Sequence, residues 1–138
     1  MRQERWPVLL DAELHEAAER EMVWGSHDCL SMAVRCEAAM CGGSDMSSLF
    51  EKYRTPREAL RRLSEAHMTG LVDLVDHFRP RVSILSAQRG DWVGFPMPDG
   101  PLGVSVGVCT GTMAAVASEP RGILYLPVSM AEHAWRIE

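Results

Sequence analysis

The sequence lacks three features that would assign it to a large class of proteins. It has no basic excess, since 14 Lys and Arg stand against 19 Asp and Glu, so a nucleic-acid-binding surface is not predicted. It has no apolar run of membrane-spanning length. Residues 1–6 also lack the apolar stretch of a secretory signal. We therefore expect synthesis and folding in a reducing cytoplasm, and later packaging into a particle remains open.

The cysteines lack the spacing of a metal site. His27, Cys29, Cys36 and Cys41 contain no CxxC or HxxxH pair, and three of them would lie along one helix with poor convergence. Cys29 and Cys36 are two helical turns apart, too far for a disulfide within a regular helix. The remaining cysteine is Cys109, and a reducing compartment argues against disulfides in general. No metal and no cofactor is expected.

The composition is that of a folded globular protein. With 138 residues, of which 46% are hydrophobic and 24% charged, the chain suits a single domain over residues 1–138. A helical half covers about residues 6–78 and a strand-rich half covers about residues 82–138. This order predicts an α+β fold, with N-terminal helices packed on a C-terminal antiparallel β-sheet.

Periodicity and capping residues predict the individual elements. Helices are expected from Pro7 to about Met22, from Cys29 to the Gly42-Gly43 pair, from Pro56 to about Met68, and over residues 71–78. Strands are expected at residues 82–85, 91–95, 103–109, 113–117, 123–127 and 134–137, with a helical turn at 129–133.

The segment Trp24-Gly25-Ser26-His27-Asp28-Cys29 is the most informative part of the sequence. It puts Cys29 in the first turn of a helix, directly after a capping aspartate, Asp28. A helix N-terminus carries partial positive charge, which favours the thiolate form of cysteine. The pattern is therefore typical of a nucleophilic cysteine, with Trp24 and Gly25 shaping the loop before it.

Three segments together resemble the NlpC/P60 peptidases, which have a papain-like fold. Residues 24–29 resemble the nucleophile segment of that family, and Arg89-Gly90-Asp91-Trp92-Val93 resembles its Pro-Gly-Asp-Leu-Val turn. Ser105-Val106-Gly107-Val108-Cys109-Thr110-Gly111 resembles its His-Val-Gly-Ile-Tyr-x-Gly strand. More narrowly, residues 53–55, 124–127 and 134–137 resemble a small branch encoded in phage and prophage tail gene clusters. The likeness spans about residues 20–138 and implies a papain-like α+β fold.

One position departs from the family pattern. The resemblance implies a catalytic histidine where this chain has Ser105, and a polar orienting residue in the next strand, which here reads Met113-Ala114-Ala115-Val116-Ala117. A serine hydroxyl has no basic site comparable to imidazole. Without a base, Cys29 would have only the helix dipole to activate it.

Each candidate residue also has a purely structural interpretation. In that interpretation Cys29 is a buried small side chain. His27 is the first candidate for a relocated base, and its structural interpretation is a loop residue that packs locally. Asp28 is interpreted as the helix N-cap, and Asp91 after Gly90 as a turn residue rather than a catalytic acid.

Two functions remain as expectations. The first is a phage tail protein near the tail tip or baseplate that uses a degenerate peptidase fold as a binding module. Its partners would be tail-tip hub or fibre proteins, and its location the virion tail, after synthesis in the bacterial host cytoplasm. The second is an active cysteine hydrolase that cuts peptidoglycan or processes a tail protein through Cys29. We lean towards the first, a protein that is not an enzyme.

Overall fold

The computed structural model describes residues 1–50 and 52–138, and it confirms the α+β class with four helices and a six-stranded antiparallel sheet in that part of the chain. The helices are α1 Trp6–Ala17, α2 Cys29–Cys41, α3 Pro56–Glu65 and α4 Leu71–Phe78. The strands are β1 Arg81–Val82, β2 Trp92–Pro96, β3 Val104–Cys109, β4 Met113–Ala117, β5 Ile123–Pro127 and β6 His133–Trp135. None of the helices within these two ranges is long and apolar enough to cross a membrane.

Helix α2 is the central helix, and both of its predicted ends are confirmed. Asp28 is the N-cap and accepts a hydrogen bond from the Ser31 backbone N–H, while the Ser31 hydroxyl accepts one from the Asp28 N–H. Gly42 ends the helix in the left-handed conformation, with φ 78°. The helix packs against α1 on one side and β3 on the other, so its buried side chains join the two halves of the chain.

The sheet has the strand order β1-β6-β2-β3-β4-β5, and every neighbouring pair is antiparallel. Alternate residues of β2 enter different hydrophobic clusters: Trp92 faces the helices, and Val93 packs in the second cluster. Gly107 lets β3 and β4 approach closely, because a Cβ there would lie 2.8 Å from Val116 Cγ2 and 2.9 Å from the Ala115 carbonyl oxygen.

The prediction that the first helix runs to about Met22 is wrong. Helix α1 begins at Trp6, so Pro7 is its second residue, and it ends at Ala17. The following backbone instead pairs with the turn before β5, since the Gly122 N–H donates to the Arg20 carbonyl at 2.9 Å. The Met22 N–H likewise donates to the carbonyl of residue 120. Tertiary hydrogen bonds therefore replace the helical ones at this point.

Four other predicted elements need correction. Helix α3 begins behind the Thr55 cap as predicted but ends at Glu65, because His67 takes a positive φ of 61°. The strand expected at residues 82–85 is only Arg81–Val82, followed by a 3₁₀ turn at Ile84–Ser86. The turn expected at 129–133 lies at Val128–Met130, and the closing strand is His133–Trp135.

Candidate functional site

The loop before α2 positions Cys29 through a buried carboxylate. The Asp28 side chain accepts hydrogen bonds from the backbone N–H of Ser31 at 2.8 Å and of Gly25 at 2.8 Å, and from the Tyr53 hydroxyl at 2.6 Å. Gly25 has φ 83°, a left-handed conformation that glycine adopts at little cost. Because Asp28 is held by three donors, the direction of the first helical turn and of Cys29 is well defined.

Cys29 lies against the start of β3. The Val106 backbone and the Ser105 side chain lie close enough to the Cys29 thiol to lower its pKa. Ser105, where the sequence resemblance implies a histidine, is therefore next to the candidate nucleophile. The sequence resemblance and the geometry thus bring the same two side chains together.

The electrostatic surroundings of Cys29 oppose ionisation. Burial and then the negative charge of Asp28 raise the pKa of the thiol to about 11, although Val106, Ser105 and the Leu30 backbone act in the other direction. The backbone of Leu30, at the start of α2, does lower the pKa of the thiol, as expected for a helix N-terminus. Desolvation and a carboxylate next to the sulfur outweigh the helix dipole.

His27 is buried, with 2% of its surface exposed, and neither ring nitrogen has a hydrogen-bond partner among the described residues. Burial lowers its pKa; the Gly122 backbone raises it, and the charges of Arg35 and Arg20 lower it. Gly122 lies in the turn before β5, Arg35 lies on α2, and Arg20 lies in the segment that follows α1. Its role as a relocated base stays a prediction, and the groups around it disfavour the protonated ring.

Two neighbouring spaces adjoin Cys29. The inner cavity, of about 100 Å³, lies between α2, α3 and α4, and its apolar lining includes Leu30, Phe50, Leu63, Leu71 and Leu74. The outer groove, of about 480 Å³, runs along β3, β4 and β5, and its lining includes Met97, Asp99, Ser105, Glu119, Leu124 and Leu126. Three side chains line both spaces: Trp24, Cys29 and Leu102. None of the lining residues within the described ranges is a histidine.

The second motif lies elsewhere and has a different role. Asp91 is fully buried, and its carboxylate pairs with Arg2 at 2.9 Å and with Arg136 at 3.1 Å. It also accepts the N–H groups of Gln88 and Ile137, at 2.9 and 3.1 Å. Asp91 therefore forms the turn before β2, as interpreted from the sequence, and also joins the two ends of the chain.

Gly90, just before Asp91, has φ 92° and leaves no room for a side chain. A Cβ at Gly90 would lie 2.9 Å from the sulfur of Met40 and 3.0 Å from the guanidinium carbon of Arg2. The Gly90-Asp91 pair is thus a structural element away from Cys29.

The sequence analysis did not predict that Tyr53 and Leu102 would belong to the candidate site. Tyr53 reaches Asp28 across 25 positions of the sequence, and burial together with the Asp28 charge raises its pKa. The motif at residues 53–55 carries no local signal for that contact.

In the part of the chain that the structure describes, no group of three or more His, Cys, Asp or Glu side chains is arranged to hold a metal ion, and the cysteines are free.

A comparison with protein-family models identifies the family of the chain. Residues 1–137 match the model of a family described as a domain of unknown function, DUF6950, and the chain belongs to this family. A search of the curated proteins found no match for the chain.

Proposed function

We propose that this chain is a non-catalytic component of a phage tail, near the tail tip, in which an NlpC/P60-type papain-like fold serves as a binding module. The single observation that carries the proposal is the pairing of Cys29 with Ser105. A nucleophilic cysteine needs an imidazole at that place, both to take the thiol proton and to protonate the leaving amine. The tail assignment rests on the sequence resemblance.

The protonation state of Cys29 supports the same proposal. With a thiol pKa of about 11, Cys29 stays protonated at pH 7. The negative charge of Asp28 contributes to that raised pKa because it disfavours a second negative charge on the sulfur. The groups around the thiol therefore hold it in the unreactive form.

The alternative is an active cysteine hydrolase, and one observation favours it. Cys29 opens α2 and lines a groove of about 480 Å³, which is large enough for part of a peptide. This reading needs a histidine to reach the sulfur, with His27 as the first candidate. The lowered pKa of His27 suits a neutral base, but its neighbour Arg35 lies on α2 and its neighbour Arg20 in the segment after α1, rather than on β3.

A complementation experiment distinguishes the two functions. In the phage or prophage that encodes the chain, deletion of the gene is expected to block tail assembly. A Cys29→Ala gene is expected to restore infectivity fully, and Cys41→Ala, which removes a half-buried cysteine at the far end of α2, is the matched control. Particles that assemble normally with Cys29→Ala but fail to infect would contradict a non-catalytic role.

A further inference from the structure

The outer groove and the inner cavity lie side by side. Trp24, Cys29 and Leu102 lie at the boundary because each lines both spaces. The groove is partly polar, whereas the cavity is lined mainly by apolar side chains, with Asp28 and Arg62 also on its wall. Its volume of about 100 Å³ is smaller than the space of about 150 Å³ that takes benzene, so it admits part of one apolar side chain.

The rim of the groove has one sign of charge. Asp99 and Glu119 are the charged residues lining it within the described ranges, and both are exposed. Arg121, the arginine nearest to Glu119 in the sequence, forms an ion pair with Glu21 at 3.4 Å. The groove therefore complements a positively charged ligand and repels an anionic one.

Apolar side chains on the same rim are left in contact with water. Met97 is 40% exposed and Leu124 is 50% exposed. Leu124 belongs to β5, which ends the sheet and pairs only with β4 in the described part of the chain. An edge strand offers backbone groups on its free side to an added extended segment.

We infer that the outer groove binds an extended peptide segment of a partner protein. One apolar side chain of that segment enters the inner cavity, and an adjacent lysine or arginine faces Asp99 and Glu119. This inference rests on the proposed function, because it names the kind of partner that the binding module takes. An anionic membrane surface or a second copy of this acidic chain, with net charge −5, fits the acidic rim less well.

Three labelled peptides test the inference directly on the full chain. Each is a glycine-serine decapeptide with fluorescein at its N-terminus and a central triplet, either Lys-Phe-Lys, Lys-Ala-Lys or Glu-Phe-Glu. Fluorescence anisotropy at low salt is expected to give the tightest binding for Lys-Phe-Lys. Loss of the aromatic anchor is expected to weaken binding about tenfold, and the acidic triplet is expected to show no binding.

The charge contribution is tested with a double variant of the rim. Asp99→Asn with Glu119→Gln is expected to weaken Lys-Phe-Lys binding about fivefold, as two exposed charge pairs are lost. The matched control is Glu4→Gln with Glu132→Gln, which removes two exposed charges outside the groove and is expected to leave binding unchanged. All four substituted residues are exposed, so folding is preserved.

The inference is overturned if the Glu-Phe-Glu peptide binds as tightly as Lys-Phe-Lys, or if the control variant weakens binding as much as the rim variant does. It is also overturned if Lys-Phe-Lys does not bind at about 1 mM, or if the chain self-associates through the groove. These failures are separate from failure of the proposed function. If the peptides do not bind while the Cys29→Ala phage stays infectious, the groove assignment falls and the non-catalytic role stands.

Discussion

Asp28 and Asp91 are both buried aspartates that follow a loop, one before helix α2 and the other before strand β2. Asp91 pairs with two arginines, Arg2 and Arg136. Asp28 accepts hydrogen bonds from two backbone N–H groups and from Tyr53, and within the described residues it forms no ion pair. The negative charge of Asp91 is thus neutralised by arginines, whereas the Asp28 carboxylate is stabilised by neutral donors alone.

The absence of a positive partner for Asp28 among the described residues explains why Cys29, which follows it in the sequence, is unreactive. Burial and the negative charge of the neighbouring Asp28 raise the pKa of the Cys29 thiol. A catalytic thiolate is stabilised by a positive neighbour, such as a histidinium. The Asp28 region therefore has the shape of a nucleophile segment with the opposite electrostatics, whereas the Asp91 region holds the fold together.

The largest effect is expected at Asp91. Asp91→Ala removes the shared partner of Arg2 and Arg136 and leaves two backbone N–H groups without an acceptor, so the free energy of unfolding is expected to fall by about 3–5 kcal/mol. Urea denaturation followed by circular dichroism measures the loss. Glu132→Ala, at an exposed residue, is the control and is expected to change stability by less than about 0.5 kcal/mol. Equal losses for both variants would contradict the role of Asp91.

A smaller effect is expected at Tyr53. Tyr53→Phe removes one neutral donor from the buried Asp28 carboxylate, and the expected cost is about 1–2 kcal/mol in the free energy of unfolding. Tyr125→Phe makes the same chemical change at a half-exposed residue of β5 and is expected to be nearly neutral. A neutral Tyr53→Phe would show that Asp28 does not depend on this donor.

The smallest effect is a pH dependence at His27, next to Asp28. Its folded pKa lies below the ordinary value of 6.5, so the unfolded chain binds the proton more readily. Stability is therefore expected to fall as the pH drops below about 6.5, by up to about 1.4 kcal/mol per pH unit.

His27→Gln is expected to remove this part of the acid sensitivity, and His15→Gln is the control. Urea unfolding at several pH values between 5 and 8 measures both slopes. The same acid slope in His27→Gln as in the parent chain would contradict a neutral, buried His27.

Local patterns were sufficient for much of the fold. The caps at Asp28 and Thr55 and the glycine at Gly42 correctly gave the ends of helices, because capping depends on residues within one turn. The end of α1 could not be predicted in the same way. It depends on hydrogen bonds from residues 20–22 to the turn near Gly122, about 100 positions away.

The candidate site shows the same contrast between features set by nearby residues and features set by distant ones. The sequence predicted Cys29 at the start of α2 and Ser105 in β3, since both lie in recognisable motifs. It did not predict that Asp28 would reach Tyr53, or that burial and the Asp28 charge would raise the pKa of Cys29. Desolvation depends on what packs over a side chain, and that information is spread over the whole chain.

The pH profile of Cys29 alkylation tests the central claim most directly. Iodoacetamide labelling of the native protein, with mass spectrometry to resolve the four cysteine-containing peptides, gives the rate for Cys29 alone. The account predicts a rate at pH 6 to 8 below that of a free cysteine peptide, rising towards a midpoint of about pH 11. It also predicts that Asp28→Asn lowers that midpoint. A Cys29 that reacts faster than the free peptide at pH 6, with a plateau by pH 7, would contradict the account.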